Sequence, residues 1–158
     1  PTRVFDIVQR LSRSGLRLQL IVLCGRNDEL RRRLSTGRFS MPLHVVGFTD
    51  QVPYYMRLAD FFIGKPGPGS ISEAIVMDLP VIVECNAWTL PQERYNADWI
   101  RELEAGIVLR TFRHIDVAVR EMLDPANFDK FRRNARQVQI RAVFEIPPIL
   151  AGLLAGSV

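Results

Sequence analysis

The sequence holds 158 residues, 47% of them hydrophobic, enough for one globular core and too few for two comfortable ones. Its formal net charge of +4 is carried almost wholly by arginine, Lys65 and Lys130 being the only lysines. That balance suits an anionic ligand or an anionic membrane surface, and with no recognisable binding motif beside the arginines it argues against a nucleic-acid partner. No signal peptide or membrane-spanning run is visible. Cys24 and Cys85 each follow an apolar run, and they read as small core residues of a reducing, cytoplasmic compartment rather than as a disulfide.

Taken in order, Val4, Ile7, Val8 and Leu11 recur at helical spacing over residues 4–14. Gly15 ends that helix, and Leu16 to Leu23 reads as the first strand. A chain that opens inside a helix is unusual for an α/β domain, so a strand and loop are expected upstream. A polar helix follows from Asp28 to Thr36, with Arg31, Arg32 and Arg33 as either a solvated face or a contact for phosphate or membrane. Leu43 to Val46 is the second strand, and Thr49 or Asp50 caps a helix carrying Val52, Tyr55, Met56 and Ala59.

Phe61 to Ile63 is a short buried strand. The six residues from Gly64 to Gly69 suit neither helix nor strand. Ser70 and Glu73 have capping-box spacing, which places a helix start at Ser70, with Ile71, Ala74, Ile75 and Leu79 on its apolar face. Pro80 stops that helix, and Val81 to Val83 is a fourth strand. A glycine loop opening onto a helix N-terminus after a buried strand is suited to an anion, because free N–H groups and the helix dipole point into it. Residues 86–91 read as a loop, Gln92 to Ala105 as a helix and Gly106 to Leu109 as the fifth strand. Two helices follow near 114–123 and 127–140. Strands that are continuous apolar runs, alternating with helices, predict a Rossmann-like parallel sheet with helices on both faces and ligands at the carboxyl ends of its strands. Residues 1–141 are expected to form this domain, and a truncation at its N-terminus is expected from the opening helix. Residues 142–158 are an apolar tail interrupted by Pro147 and Pro148, too short to span a bilayer and suited to packing on a missing domain or a membrane interface.

Five segments, in order, resemble the C-terminal, donor-binding half of GT-B glycosyltransferases of family 28. They are Leu23-Cys-Gly-Arg-Asn27, Val46-Gly-Phe48, Gly64-Lys-Pro-Gly-Pro-Gly-Ser-Ile-Ser-Glu-Ala74, Asp78-Leu-Pro-Val-Ile82 and Pro91-Gln-Glu-Arg-Tyr-Asn96. The second and third are more similar to the galactolipid-synthase branch than to the peptidoglycan branch. The resemblance implies a UDP-sugar donor and transfer of a hexose, with inversion, to an acceptor such as a membrane lipid. It implies that Phe48 and Thr49 receive the uracil and that Gly67, Gly69 and Ser70 hold the diphosphate. Glu73 would take both ribose hydroxyls, and Gln92 and Glu93 would grip the sugar, with Asn96 nearby. The acceptor site and general base of such enzymes come largely from an N-terminal domain or partner chain, and no catalytic residue is assigned to this chain.

The residues alone leave alternatives open. A carboxylate can accept from a cis-diol, yet Glu73 is equally the acidic member of a capping box. Thr89 and Gln92 have the same spacing, with Pro91 in the first turn, so Gln92 is either a cap or a sugar contact. Lys65 either reaches the diphosphate or is solvated. His44 and His114 have no acid–base partner in sequence and read as structural. No Asp-x-Asp motif is present, so neither a metal nor any other cofactor is called for. Two other functions fit the same architecture: a non-catalytic nucleotide-sugar-binding subunit that needs a partner chain, and a sugar-nucleotide epimerase. A peripheral membrane contact is compatible with the charge and the apolar tail.

Overall fold

The computed structural model describes residues 2–138, 142–154 and 156. Its frame is a set of parallel strands, β1 (Leu20–Leu23), β2 (Leu43–Val46), β3 (Phe62–Gly64), β4 (Val81–Glu84) and β5 (Gly106–Leu109). Helices alternate with them: α1 (Thr2–Arg13), α2 (Asp28–Thr36), α3 (Val52–Arg57), α4 (Pro68–Val76), α5 (Pro91–Leu103) and α6 (Ile115–Met122). Two more, α7 (Pro125–Gln137) and α8 (Ala142–Leu154), close the described chain.

The most deeply buried strand is β4. It runs between β3 and β5, with Ile82 in register with Ile63 on one side and Ile107 on the other. Alternate side chains of a strand point to opposite faces, and both faces here are covered. Ile82 packs with Val8 and Leu11 of α1 and with Val119 and Met122 of α6. Val81 and Val83 pack with Ile71 and Ile75 of α4 and Ile100 of α5. Burying each such side chain stabilises the fold by about 1.5–3 kcal/mol. One helix serves both faces, since α7 places Phe131 in the first cluster and Ala135 in the second. A Cβ on Gly106 would lie 2.0 Å from the Val81 carbonyl oxygen, so only glycine lets β5 start this close to β4.

The α/β architecture and the burial on both faces agree with the sequence pattern. Several local features differ from it. The parallel strands form two ladders, β1–β2 and β3–β4–β5, and no ladder joins β1 to β3 among the described residues. The halves meet through side chains, with Val22 and Cys24 in the same cluster as Ile82. Strand β1 starts at Leu20 rather than Leu16, because its only partner, β2, begins opposite it at Leu43. Gly64 belongs to β3, paired with Val83. Pro68 and Gly69 already belong to α4, since proline at the first helical position has no N–H to leave unsatisfied. That helix gives out at Val76, ahead of Pro80, where Asp78 takes a left-handed conformation (φ 60°). The prolines of the tail do not end the helix: α8 runs through Pro147 and Pro148, which leave two of its carbonyls without their backbone N–H donors. Cys24 is buried as expected, whereas Cys85 is only half-buried at the end of β4. The helix expected over 127–140 runs instead from Pro125 to Gln137, with Asp124 as its cap and Val138 extended beyond it; residues 139–141 and Ala155, Ser157 and Val158 of the tail fall outside the described residues.

Candidate functional site

Ligands of a doubly covered parallel sheet meet the loops at the carboxyl ends of its strands. All eight residues expected in the site stand on that edge. Phe48 and Thr49 follow β2; Gly67, Gly69, Ser70 and Glu73 follow β3; Gln92 and Glu93 follow β4. The edge therefore draws on both ladders.

Its centre is the start of α4. Gly67 is the N-cap residue, in extended conformation, Pro68 opens the helix, and no side chain caps it. The Ile71 N–H turns back to the Gly67 carbonyl (3.1 Å), while those of Gly69 and Ser70 find no acceptor among the described residues. A Cβ built on Gly67 or Gly69 meets nothing within 4 Å, and neither glycine has a positive φ. The fold itself does not require glycine at either position. What glycine does there is leave the N–H groups bare, open to close approach from outside.

The helix starts also resolve two alternatives. Ser70 is the third residue of α4, not its cap, so it forms no capping box with Glu73. The Glu73 carboxylate is exposed and has no hydrogen-bond or ion-pair partner among the described residues. Likewise α5 is preceded by Leu90, and the Thr89 hydroxyl accepts from the Asn86 N–H instead (2.9 Å). Gln92 is thus the second residue of an uncapped helix, exposed, beside a half-buried Glu93. Neither residue is spent as a cap. The helix after β2 is also uncapped: its N-cap is Gln51, and Thr49 accepts from the Gln51 N–H in a local turn (3.0 Å), so the expectation of a Thr49 or Asp50 cap does not hold.

The loop that leads into α5 is built by its own polar side chains. Asn86 Oδ1 accepts from the Trp88 N–H (2.9 Å), and Arg94 donates to the carbonyls of Ala87 (2.9 Å) and Thr89 (3.1 Å). Asn86 also donates to the Arg110 carbonyl (3.2 Å), tying this loop to the one after β5. Held this way, Trp88 stands 87% exposed at the rim.

Arg26 is a neighbour that the sequence reading did not assign. Its guanidinium lies 4.8 Å from the centroid of the Phe48 ring, itself 68% exposed. No spacing announces this contact; it follows from the topology, because Leu23 and Val46 end paired strands and deliver their loops side by side. The arginine run on α2 is exposed, as expected, though Arg33 stacks over Phe5 (4.2 Å) and Arg31 pairs with Asp28 (3.1 Å). Lys65 is exposed and has no side-chain partner among the described residues. His44 lies mid-strand with its ring 6.1 Å from that of Tyr55, and His114 precedes α6; neither is bonded to a carboxylate. Burial pushes the Cys24 thiol above its ordinary pKa, with Arg31 pulling the other way, so it stays neutral and unreactive. Among the described residues no three His, Cys, Asp or Glu side chains are grouped to hold a metal ion.

The carboxyl edge thus brings together a bare helix start after a glycine loop and polar side chains of α4 and α5 that have no partner among the described residues. The chain belongs to glycosyltransferase family 28, whose C-terminal domain model matches residues 2–141. It is similar to monogalactosyldiacylglycerol synthase 3, chloroplastic, of Arabidopsis thaliana, 34% identical over 131 residues that make up 81% of this chain and 28% of that protein. The chloroplastic monogalactosyldiacylglycerol synthase of Spinacia oleracea is 35% identical over 107 residues, 68% of this chain and 20% of the relative. The chain thus matches only about a quarter of the length of these relatives. In fold it is similar to the crystal structure of Acinetobacter baumannii MurG (TM-score 0.69, 13% identity, 91% of this chain and 45% of that one). It is also similar to Phytolacca americana UGT2, solved with UDP-2fluoro-glucose and pterostilbene (TM-score 0.60, 19% identity, 86% and 32%).

Proposed function

We propose that this chain is the donor-binding part of an inverting glycosyltransferase that moves a hexose from a UDP-sugar to a lipid hydroxyl. The observation that carries this reading is the start of α4, where the N–H groups of Gly69 and Ser70 find no acceptor among the described residues and the fold requires glycine at neither 67 nor 69. A diphosphate there receives those N–H groups and the positive end of the helix. Glu73, with no partner of its own, takes the ribose diol, and Phe48 and Thr49 lie against the base. Gln92 and Glu93, one strand over, hold the hexose hydroxyls.

In this mechanism the acceptor hydroxyl attacks the anomeric carbon as the bond to the diphosphate oxygen breaks. UDP leaves with the electron pair, and the hydroxyl proton passes to a base outside the residues named here. The negative charge developing on the leaving diphosphate falls on the bare N–H donors of α4. Galactose and diacylglycerol are the pair to test first, because the similar curated proteins carry them in their names. No helix among the described residues is long and apolar enough to cross a membrane. The exposed Ile146, Ile149, Leu150 and Leu153 of α8 support a peripheral contact with the lipid surface.

Calorimetric titration with UDP and with UMP tests the reading. Each N–H bond to a charged group contributes about 1.5–3 kcal/mol, so UDP should bind at least about tenfold tighter than UMP, with both weakened by Glu73→Ala. Equal affinity for the two nucleotides, or none for either, would refute it.

A further inference from the structure

The glycine loop has one side-chain tether. Asn96 Nδ2 donates to the Pro66 carbonyl at 2.8 Å in a half-buried setting, and Pro66 is itself buried. Residues 65–67 make no other side-chain hydrogen bond among the described residues. Proline has no N–H, so this carbonyl is the polar group by which that residue can be held. Elsewhere α4 and α5 meet through apolar side chains, with Ile71 and Ile75 against Ile100. Apolar packing is non-directional, whereas the amide-to-carbonyl bond fixes a distance and an angle.

Asn96 also stands in a telling place on α5. Gln92 and Glu93 precede it by four and three residues, so all three share one helix face. A single side chain therefore joins the loop after β3 to the turn that presents Gln92 and Glu93. We propose that Asn96 is a positioning residue for the donor, acting through Pro66 to hold the glycine loop in register with the residues that grip the hexose. This rests on the donor-site reading above. The bond that breaks lies between the two segments, where a small misplacement costs more than it would at the base.

The test compares the unsubstituted chain with Asn96→Ala and Asn96→Leu. Alanine is the best helix former, so the first variant keeps α5; leucine keeps the bulk and lacks the donor. Calorimetry with UDP and UMP is paired with amide hydrogen exchange at Ile71, whose N–H closes the loop onto Gly67. In both variants UDP should weaken about tenfold while UMP stays within about twofold, the size expected for one lost hydrogen bond at a charged site. The Ile71 amide should exchange faster, and the amides of β4 should not change. Parallel loss of UDP and UMP would show a merely structural role and overturn the proposal. So would an unaltered preference for UDP, an unaltered Ile71 amide, or recovery of the preference with leucine. If the unsubstituted chain itself shows no preference for UDP, the donor reading falls, and the role of Asn96 with it.

Discussion

Two helices of this molecule begin in almost the same way and are finished differently. The N-cap backbone of α7 is at φ −63°, ψ 125° and that of α4 at φ −68°, ψ 136°, and each is followed by proline. At α7 the cap is Asp124, whose carboxylate accepts from the N–H groups of Ala126 (3.0 Å) and Asn127 (3.1 Å). At α4 the cap is Gly67, and the equivalent N–H groups, on Gly69 and Ser70, are left bare. A cap of this kind is worth about 1 kcal/mol of stability. One helix start satisfies itself, and the other is left for something outside the chain to satisfy.

The sharpest way to break that comparison is to make α4 resemble α7. Gly67→Asp meets open space and needs no change of backbone, so stability should hold within about 0.5 kcal/mol. The new carboxylate would occupy the N–H groups and repel a phosphate, lowering UDP affinity by well over about tenfold. A variant that still bound UDP at full strength would show that the diphosphate lies elsewhere. Next in size is Glu73→Gln, which removes an exposed, partnerless charge. Binding of UDP and UMP should fall together, each by about five- to tenfold, with the melting temperature unmoved. The converse change is smaller and of the other kind: Asp124→Ala should cost about 1 kcal/mol in denaturant unfolding and leave UDP titration as it was.

The smallest effect separates the two cysteines. The Cys24 thiol has its pKa raised in the fold, so it binds its proton more tightly there than in the unfolded chain. The stability this contributes is complete below the ordinary thiol value of 9.0 and is lost as pH rises through and beyond it. Cys24→Ala should flatten that alkaline decline by a fraction of its height, and Cys85, half-buried, should be the faster of the two to react with a thiol reagent.

The strands and most helix positions were legible because apolar runs and helical spacing act locally. Leu43–Val46 and Gly106–Leu109 fall where the sequence places them. Helix starts were harder. Ser70–Glu73 and Thr89–Gln92 both have capping-box spacing, yet in each case a proline nearby opens the helix at a different residue, and the Thr89 hydroxyl accepts from the Asn86 N–H instead. Spacing describes what a cap requires and is silent on which of two competing starts prevails. The contacts of Arg26 with Phe48 and of Asn96 with Pro66 were beyond its reach for another reason. Each joins segments that follow different strands, and only the order of strands in space brings those segments together.

That order has a consequence of its own. Backbone ladders hold β1 to β2 and β3 to β4 and β5, but among the described residues no ladder crosses the seam between the two groups, which side chains close. Phe48 and Thr49 stand on one bank of the seam, and the glycine loop with Glu73 stands on the other. On the proposed reading, a UDP-sugar laid across them would act as a staple, supplying a transverse link that the ladders omit. Its occupancy adds RT ln(1 + [L]/Kd) to the free energy of parting the two banks. On the proposed reading such a ligand would be a structural member of the domain as well as the donor, and removing it should lower the protection of amides along the seam first.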